Sequence, residues 1–123
     1  MTDNMEMVYI CAPLRGDVQK NIEFARQRAQ EVFQQGKIPI CPHLMFPPIA
    51  DPNHPGQDES AREMGLKLLE KCTQINVYGR VLTDGMREEI RHAKKCGILV
   101  FNKQEKQKAT ENKKKKGRKA YER

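Results

Sequence analysis

The sequence predicts a three-layer α/β domain, in which helices cover both faces of a mainly parallel sheet of four to five strands. Short strand-forming runs alternate with segments of helical apolar spacing, in the order β-α-β-loop-α-β-α-β. The length of 123 residues leaves room for one domain. The net charge of +7 lies entirely in residues 103–123, which hold ten Lys/Arg and three Asp/Glu. We therefore expect a domain over residues 1–102 and a basic tail, disordered or weakly helical, over residues 103–123.

The first strand and helix have clear boundaries in the sequence. Residues 7–12 form an apolar run rich in strand formers, which Pro13 ends. Apolar residues then recur at helical spacing over residues 18–35, with Asp17 as the expected N-cap and Gly36 as the residue that closes the helix.

The middle of the chain predicts a second strand and a long loop. Residues 38–41 form the strand, and the internal Pro39 favours a position at or near a sheet edge. The five prolines of residues 42–58 predict an irregular segment, and its apolar start indicates a lid or pocket wall. A helix is expected over residues 60–72, with Met64, Leu68 and Leu69 on its inner face.

Two further strands, at residues 74–78 and 98–101, enclose the last helix. In that helix Met86, Ile90 and Ala93 lie on one face, and Glu89 falls within the same arc while Glu88 points away to solvent. The helix dipole favours an anion in the first turns, as a nucleophile or base requires. A half-buried Glu paired with a basic side chain is the alternative interpretation.

The carboxyl ends of the strands form the expected site, because parallel α/β folds bind ligands at that edge. Arg15 and Gly16, at the start of the first helix, suit an anion such as a phosphate. Dinucleotide-binding, P-loop and nucleophile-elbow motifs are absent from the sequence, and no cofactor is expected. The three histidines are scattered, so no metal site is expected either.

Four motifs carry a family resemblance. Two stretches, Tyr9 to Gly16 and Asp84 to Glu89, resemble motifs of the nucleoside 2-deoxyribosyltransferase superfamily. Two others, Ile38 to Leu44 and Glu63 to Leu66, resemble stretches found in the short members of that superfamily. The first motif is also similar to that of deoxynucleoside 5′-monophosphate N-glycosidases. The resemblance implies a Rossmann-like domain that cleaves or exchanges the N-glycosidic bond of a nucleoside or nucleotide. It also implies a homo-oligomer, since members often complete the pocket from a neighbouring subunit.

The resemblance assigns roles to individual residues. Glu89, four residues after Gly85, matches the nucleophile that attacks the anomeric carbon, as in retaining glycoside chemistry. Tyr9 would orient Glu89, and Asp84 would hold a sugar hydroxyl or assist proton transfer to the base. Without the resemblance, the sequence is equally consistent with Tyr9 as an ordinary half-buried aromatic residue of a strand. For Asp84, the commoner role at such a position is to cap the helix. The residues expected to contact the substrate are Pro13, Arg15, Gly16, His43, Gly85 and Met86.

One departure from the family favours an alternative function. The aspartate that handles the departing base has no counterpart, because the corresponding positions are Gly65 and Thr73. The second hypothesis is therefore a non-catalytic pocket for a nucleotide or nucleotide signal. A third is nucleic-acid binding through the tail only, since the rest of the chain has no net charge.

The sequence also predicts the cellular setting. It contains no secretion signal and no apolar run of membrane-spanning length, so a cytoplasmic protein without membrane contact is expected. The cysteines lie in or beside apolar runs and form no C-x-x-C pair, which favours reduced, buried thiols. They are Cys11, Cys41, Cys72 and Cys96.

Overall fold

The computed structural model describes residues 5–51 and 53–103. The strands are β1 Met7–Cys11, β2 Ile38–Ile40, β3 Gln74–Val77 and β4 Leu99–Asn102, and the helices are α1 Val18–Gln34, α2 Pro42–Met45, α3 Pro55–Leu69 and α4 Asp84–Lys95. The sheet has the order β2-β1-β3-β4 and all its pairs are parallel. The predicted α/β class is confirmed, with a four-stranded sheet in the described residues.

The two faces of β1 pack into different cores, because successive side chains of a strand point to opposite sides. Val8 and Ile10 face α1, where small and β-branched residues let the helix approach the sheet closely. Tyr9 and Cys11 face α3 and α4. The partners on the first face are Ala25, Ala29 and Val32, and those on the second include Leu69, Met86 and Ala93.

Helix α1 begins and ends as its sequence predicts. The Asp17 carboxylate accepts a hydrogen bond from the Lys20 backbone N–H at 3.2 Å, which satisfies one of the free donors of the first turn. Gly36 follows the C-cap residue Gln35 with a φ of +82°, a left-handed conformation that glycine adopts without a steric penalty.

The connection from β2 to β3 differs from the prediction. Residues 42–58 are not wholly irregular, because they contain α2, and α3 begins at Pro55 instead of Ser60. Proline is tolerated in the first turn of a helix, and the His54 side chain accepts from the Gln57 N–H at 3.3 Å. The predicted inner position of Met64 is wrong: its side chain is 54% exposed. Gly65 and Leu69 are the buried residues of this helix.

Strand order reverses next to β1, and this reversal creates the opening for a ligand. The chain leaves β1 for β2 on one side and then crosses back to β3 on the other. The connections that follow β1 and β3 therefore diverge at the carboxyl edge of the sheet, where parallel folds bind their ligands. The edge position predicted for β2, the strand that contains Pro39, is confirmed.

Three of the four cysteines are buried as predicted, and burial raises the pKa of Cys41 to about 11 and that of Cys72 to about 12. Cys96 is exposed, so the prediction of burial is wrong for this residue. Within the described ranges no helix combines the length and apolar character needed to cross a membrane. The predicted basic tail lies outside the described residues, apart from Lys103.

Candidate active site

A cavity of about 600 Å³ opens at the carboxyl edge of the sheet. Its walls come from β1 and the residues after it, from α2 and the loop that follows, from α3, and from the first turns of α4. The loop wall includes Phe46, Pro47 and Ala50, as the apolar start of this segment predicts. A cavity of this size is large enough to hold a small organic ligand.

The start of α4 is held in place by Thr83. Its hydroxyl accepts from the Met86 N–H at 3.2 Å, so Thr83 is the N-cap and the alternative of Asp84 as cap is wrong. Met86 is only 2% exposed and anchors the first turn in the core beneath the cavity. This anchoring fixes the direction in which Glu89, one turn further on, projects.

Tyr9 and Glu89 meet at the cavity although they are 80 residues apart in the sequence. The Tyr9 hydroxyl donates to Glu89 Oε2 at 2.6 Å, and both residues line the cavity. A bond of this length is typical of a hydroxyl that donates to a charged carboxylate. Burial, followed by the charge of Glu89, raises the pKa of Tyr9, so its hydroxyl stays protonated and available as a donor.

Glu89 is half-buried, and the net effect of its surroundings raises its pKa above the ordinary value for a glutamate. Burial raises its pKa, hydrogen bonds from Tyr9 and Cys11 lower it, and the neighbouring charge of Glu88 raises it again; the net direction is upward. Cys11 was not among the predicted site residues; its buried thiol also lies 3.9 Å from the Met86 carbonyl oxygen. Alternation along β1 places Cys11 on the Tyr9 face and could have indicated it.

Glu88 and Asp84 occupy the cavity wall in different ways. The prediction that Glu88 is solvated is wrong, because its side chain is half-buried and lines the cavity beside Glu89. Asp84 also borders the cavity, but its side chain is fully exposed and its carboxylate lies 3.6 Å from the Arg87 guanidinium. Asp84 is therefore a rim residue, exposed to solvent and close to a guanidinium of its own helix.

Of the three substrate contacts predicted between β1 and α1, Arg15 lines the cavity, whereas Pro13 and Gly16 do not. Arg15 borders the cavity with 84% of its side chain exposed, and its guanidinium lies 3.6 Å from the Asp58 carboxylate. Arg62, which was not predicted as a contact, is a second arginine that borders the same cavity. Gly16 and Pro13 do not line the cavity; Gly16 makes the turn with a φ of +98°, and Pro13 packs beside Gly79.

The remaining predicted contacts lie where the sequence placed them. Gly85 and Met86 line the cavity at the start of α4. His43 lines it from α2, and its Nε2 donates to the Ala12 carbonyl oxygen at 2.6 Å. Burial lowers the pKa of His43, so the ring is neutral near pH 7. A neutral ring with Nε2 protonated has an acceptor at Nδ1.

Residues 6–103 match a family described as a domain of unknown function, DUF7768. The chain belongs to this family. No curated protein sequence matches the chain.

Solved structures show what the DUF7768 fold is similar to. A 2-deoxyribosyltransferase from Bacillus psychrosaccharolyticus superposes with a TM-score of 0.64 at 12% identity, over 80% of this chain and 73% of that one. A 2-deoxyribosyltransferase from Leishmania mexicana gives a TM-score of 0.60 at 12% identity, over 77% of this chain and 61% of that one. At this identity the comparison establishes a shared Rossmann-like fold.

Gly65 of the DUF7768 domain lies next to the hydroxyl of Tyr9, the partner of Glu89. A Cβ atom at this position would be 3.5 Å from the Tyr9 hydroxyl oxygen and 3.6 Å from Pro42 Cγ. The position therefore borders the site, and the absence of a side chain leaves space next to the hydroxyl. A carboxylate that is oriented by a buried donor beside such a space can act on a ligand as a nucleophile or a base.

Proposed function

We propose that this DUF7768 domain cleaves or exchanges the N-glycosidic bond of a nucleoside or nucleotide, with Glu89 as the nucleophile. The observation that carries the proposal is the 2.6 Å hydrogen bond from Tyr9 to Glu89 Oε2 at the cavity wall. The Rossmann-like fold shared with 2-deoxyribosyltransferases supports it. The hydroxyl holds the carboxylate in position at the wall of the cavity that would receive the substrate.

The reaction proceeds in two displacements. A carboxylate oxygen of Glu89 forms an ester bond to the anomeric carbon while the C–N bond breaks, and the base leaves with the electron pair and takes up a proton. Water, or the nitrogen of a second base, then attacks the same carbon, gives up its proton, and releases the Glu89 carboxylate. To Asp84, which borders the cavity, we assign the role of holding a sugar hydroxyl or assisting the proton transfer.

The charge state of Glu89 sets the pH dependence. Only the ionised carboxylate attacks, and the net effect of its surroundings raises its pKa. Activity should therefore fall as the pH drops through that raised pKa, at a higher pH than for an ordinary carboxylate. The Tyr9 hydroxyl opposes this loss because it donates to the charged form.

A panel of nucleosides and nucleoside monophosphates, with free base as the readout, tests the proposal. Wild-type protein should release base from at least one substrate, and mass spectrometry should detect the glycosyl-enzyme. Glu89→Gln should abolish both signals. Glu23→Gln, which changes an exposed carboxylate on α1, is the matched control and should keep them. No release by wild type, or equal release by Glu89→Gln, would end the enzymatic proposal.

A second function rests on Gly65. The resemblance implies an aspartate for the departing base at this position, and glycine supplies no proton donor. A non-catalytic nucleotide pocket with the same cavity is therefore the competing proposal. A thermal-shift screen separates the two, because a ligand that binds only the folded state raises Tm without turnover. The predicted homo-oligomer stays a prediction, which light scattering on the purified protein checks.

A further inference from the structure

Three potential metal ligands converge where α3 and α4 end, at the opposite end of α4 from its cavity-lining turns. They are Glu70, His92 and Cys96, and one ligand atom from each lies within 4.8 Å of the other two. His92 and Cys96 are four residues apart, so they share a face at the end of α4. Glu70 is the C-cap residue of α3 and joins them from the neighbouring helix.

We propose that this cluster is a Zn²⁺ site with three protein ligands and water in the fourth position. Thiolate, imidazole and carboxylate are the ligands that Zn²⁺ takes in tetrahedral sites. Ligand atoms of such a site, at about 2.0–2.3 Å from the metal, lie about 3.3–3.6 Å from each other. The spacing of the cluster is thus close to that of a tetrahedral site, and small side-chain rotations complete it.

The hydrogen-bond contact between His92 and Glu70 is compatible with binding of a metal ion by the cluster. His92 Nε2 lies 2.8 Å from Glu70 Oε2, and the two atoms would separate by about half an ångström to become two ligands of one ion. The other oxygen, Oε1, is 3.9 Å from Lys67 Nζ and stays outside the site. The Cys96 thiol is exposed, so an ion can reach it from solvent.

The backbone also favours a cation here. Glu70 and Cys96 are the C-cap residues of their helices, so the carbonyl ends of α3 and α4 both lie at the cluster. The C-terminus of a helix carries a partial negative charge, and two such ends attract a cation more strongly than one. A bound ion would tie together the two helices whose earlier turns carry Gly65 and Glu89.

Cobalt titration tests the proposal independently of any enzymatic activity. The full chain, kept reduced and freed of metal with a chelator, is titrated with Co²⁺. Wild-type protein should develop a thiolate-to-Co²⁺ charge-transfer band that saturates at one equivalent and disappears when Zn²⁺ is added. Cys96→Ser should lose the band. His92→Gln and Glu70→Gln should each weaken Co²⁺ binding at least about tenfold, because even outer-shell changes cost about 10- to 100-fold.

Matched controls keep the result interpretable. His54→Gln and Glu63→Gln alter exposed residues outside the cluster and should bind Co²⁺ as wild type does. Circular dichroism verifies that each variant is folded, and Zn²⁺ should raise the Tm of wild type and of the controls but not of Cys96→Ser. Absence of the band in wild-type protein, or a band that Cys96→Ser retains, would overturn the proposal and leave only the hydrogen bond between His92 and Glu70.

Discussion

The two faces of β1 contrast sharply in what they bury. Toward α1 the strand presents Val8 and Ile10, which pack against aliphatic side chains. Toward α3 and α4 it presents Tyr9 and Cys11, whose polar atoms are held next to the half-buried Glu89. Burying a carboxylate is unfavourable, whereas burying aliphatic side chains carries no such free-energy cost. The first face therefore only stabilises the fold, whereas the second combines an apolar core with a half-buried carboxylate whose burial lowers stability.

Glu89→Gln should give the largest change in base release, and it separates the effect of Glu89 on activity from its effect on stability. Under the proposed function we expect base release to fall at least about 1,000-fold, because the variant lacks a nucleophile. Tm near pH 7 should rise by about a few degrees, since a neutral amide replaces a half-buried charge. Base-release assays and thermal melts on the same preparation measure the two changes, and a lower Tm would show that the charge is not costly.

The sign of the pH dependence follows from the direction of the Glu89 pKa. Because the folded-state pKa is raised above the ordinary value of 4.5, the folded chain holds a proton over a range in which the unfolded chain has lost it. This contribution to stability is complete below pH 4.5 and is lost as pH rises through the folded-state pKa. The Tm advantage of Glu89→Gln over wild type should therefore shrink toward zero on acidification.

Ile10→Ala is the complementary change on the other face of β1. The Ile10 side chain is 1% exposed, so truncation leaves a cavity and should cost about 2–5 kcal/mol of unfolding free energy. Activity per folded molecule should stay near the wild-type value, since Ile10 packs away from Glu89. Denaturant unfolding gives the stability loss, and a matching collapse of specific activity would contradict the separation of the two faces.

Tyr9→Phe should have an intermediate effect. A hydrogen bond to a charged group contributes about 1.5–3 kcal/mol, so its loss should slow base release about 10- to 100-fold. The acid limb of the pH–rate profile should move to higher pH, because the donor that lowers the Glu89 pKa is gone. Tyr78→Phe is the matched control: its hydroxyl accepts from Asn76 at 3.1 Å on the α1 face, and its profile should not move.

Gly65→Ala should give the smallest change. The added Cβ would make ordinary contacts at 3.5 Å and 3.6 Å, and alanine is favoured over glycine inside a helix by up to about 1 kcal/mol. We expect a slightly higher Tm together with a higher KM or Kd, because the methyl group occupies space beside Tyr9. Thermal melts and ligand titration check both. A drop in Tm would show that the cavity wall has no room.

Local pattern was sufficient for most of the fold. The alternation of strands and helices, the Asp17 cap and the inward face of α4 follow from periodicity and capping rules that act over a few residues. The start of α3 was missed because Pro55 and Gly56 indicate a loop when the capping contact of His54 is not known. Met64 was misplaced because which side of α3 faces the sheet depends on tertiary packing.

The site was predicted only in part. Helical periodicity correctly predicted that Glu89 faces the body of the protein, but it wrongly predicted that Glu88 is solvated. A helical wheel does not include the cavity walls that other segments supply. The contribution of Cys11 also depends on how α4 packs on β1. The cluster of Glu70, His92 and Cys96 was invisible for the same reason, since one member comes from a different helix.

The long separation of Tyr9 and Glu89 along the chain has a consequence for biosynthesis. The strand that carries the hydroxyl leaves the ribosome before α4, and the carboxylate follows the hydroxyl by 80 residues. Non-local pairings of this kind form late, after the intervening segments have been ordered. A product that is terminated between these two residues has the hydroxyl of the pair without the carboxylate, and α4 must be synthesised before the hydrogen bond forms.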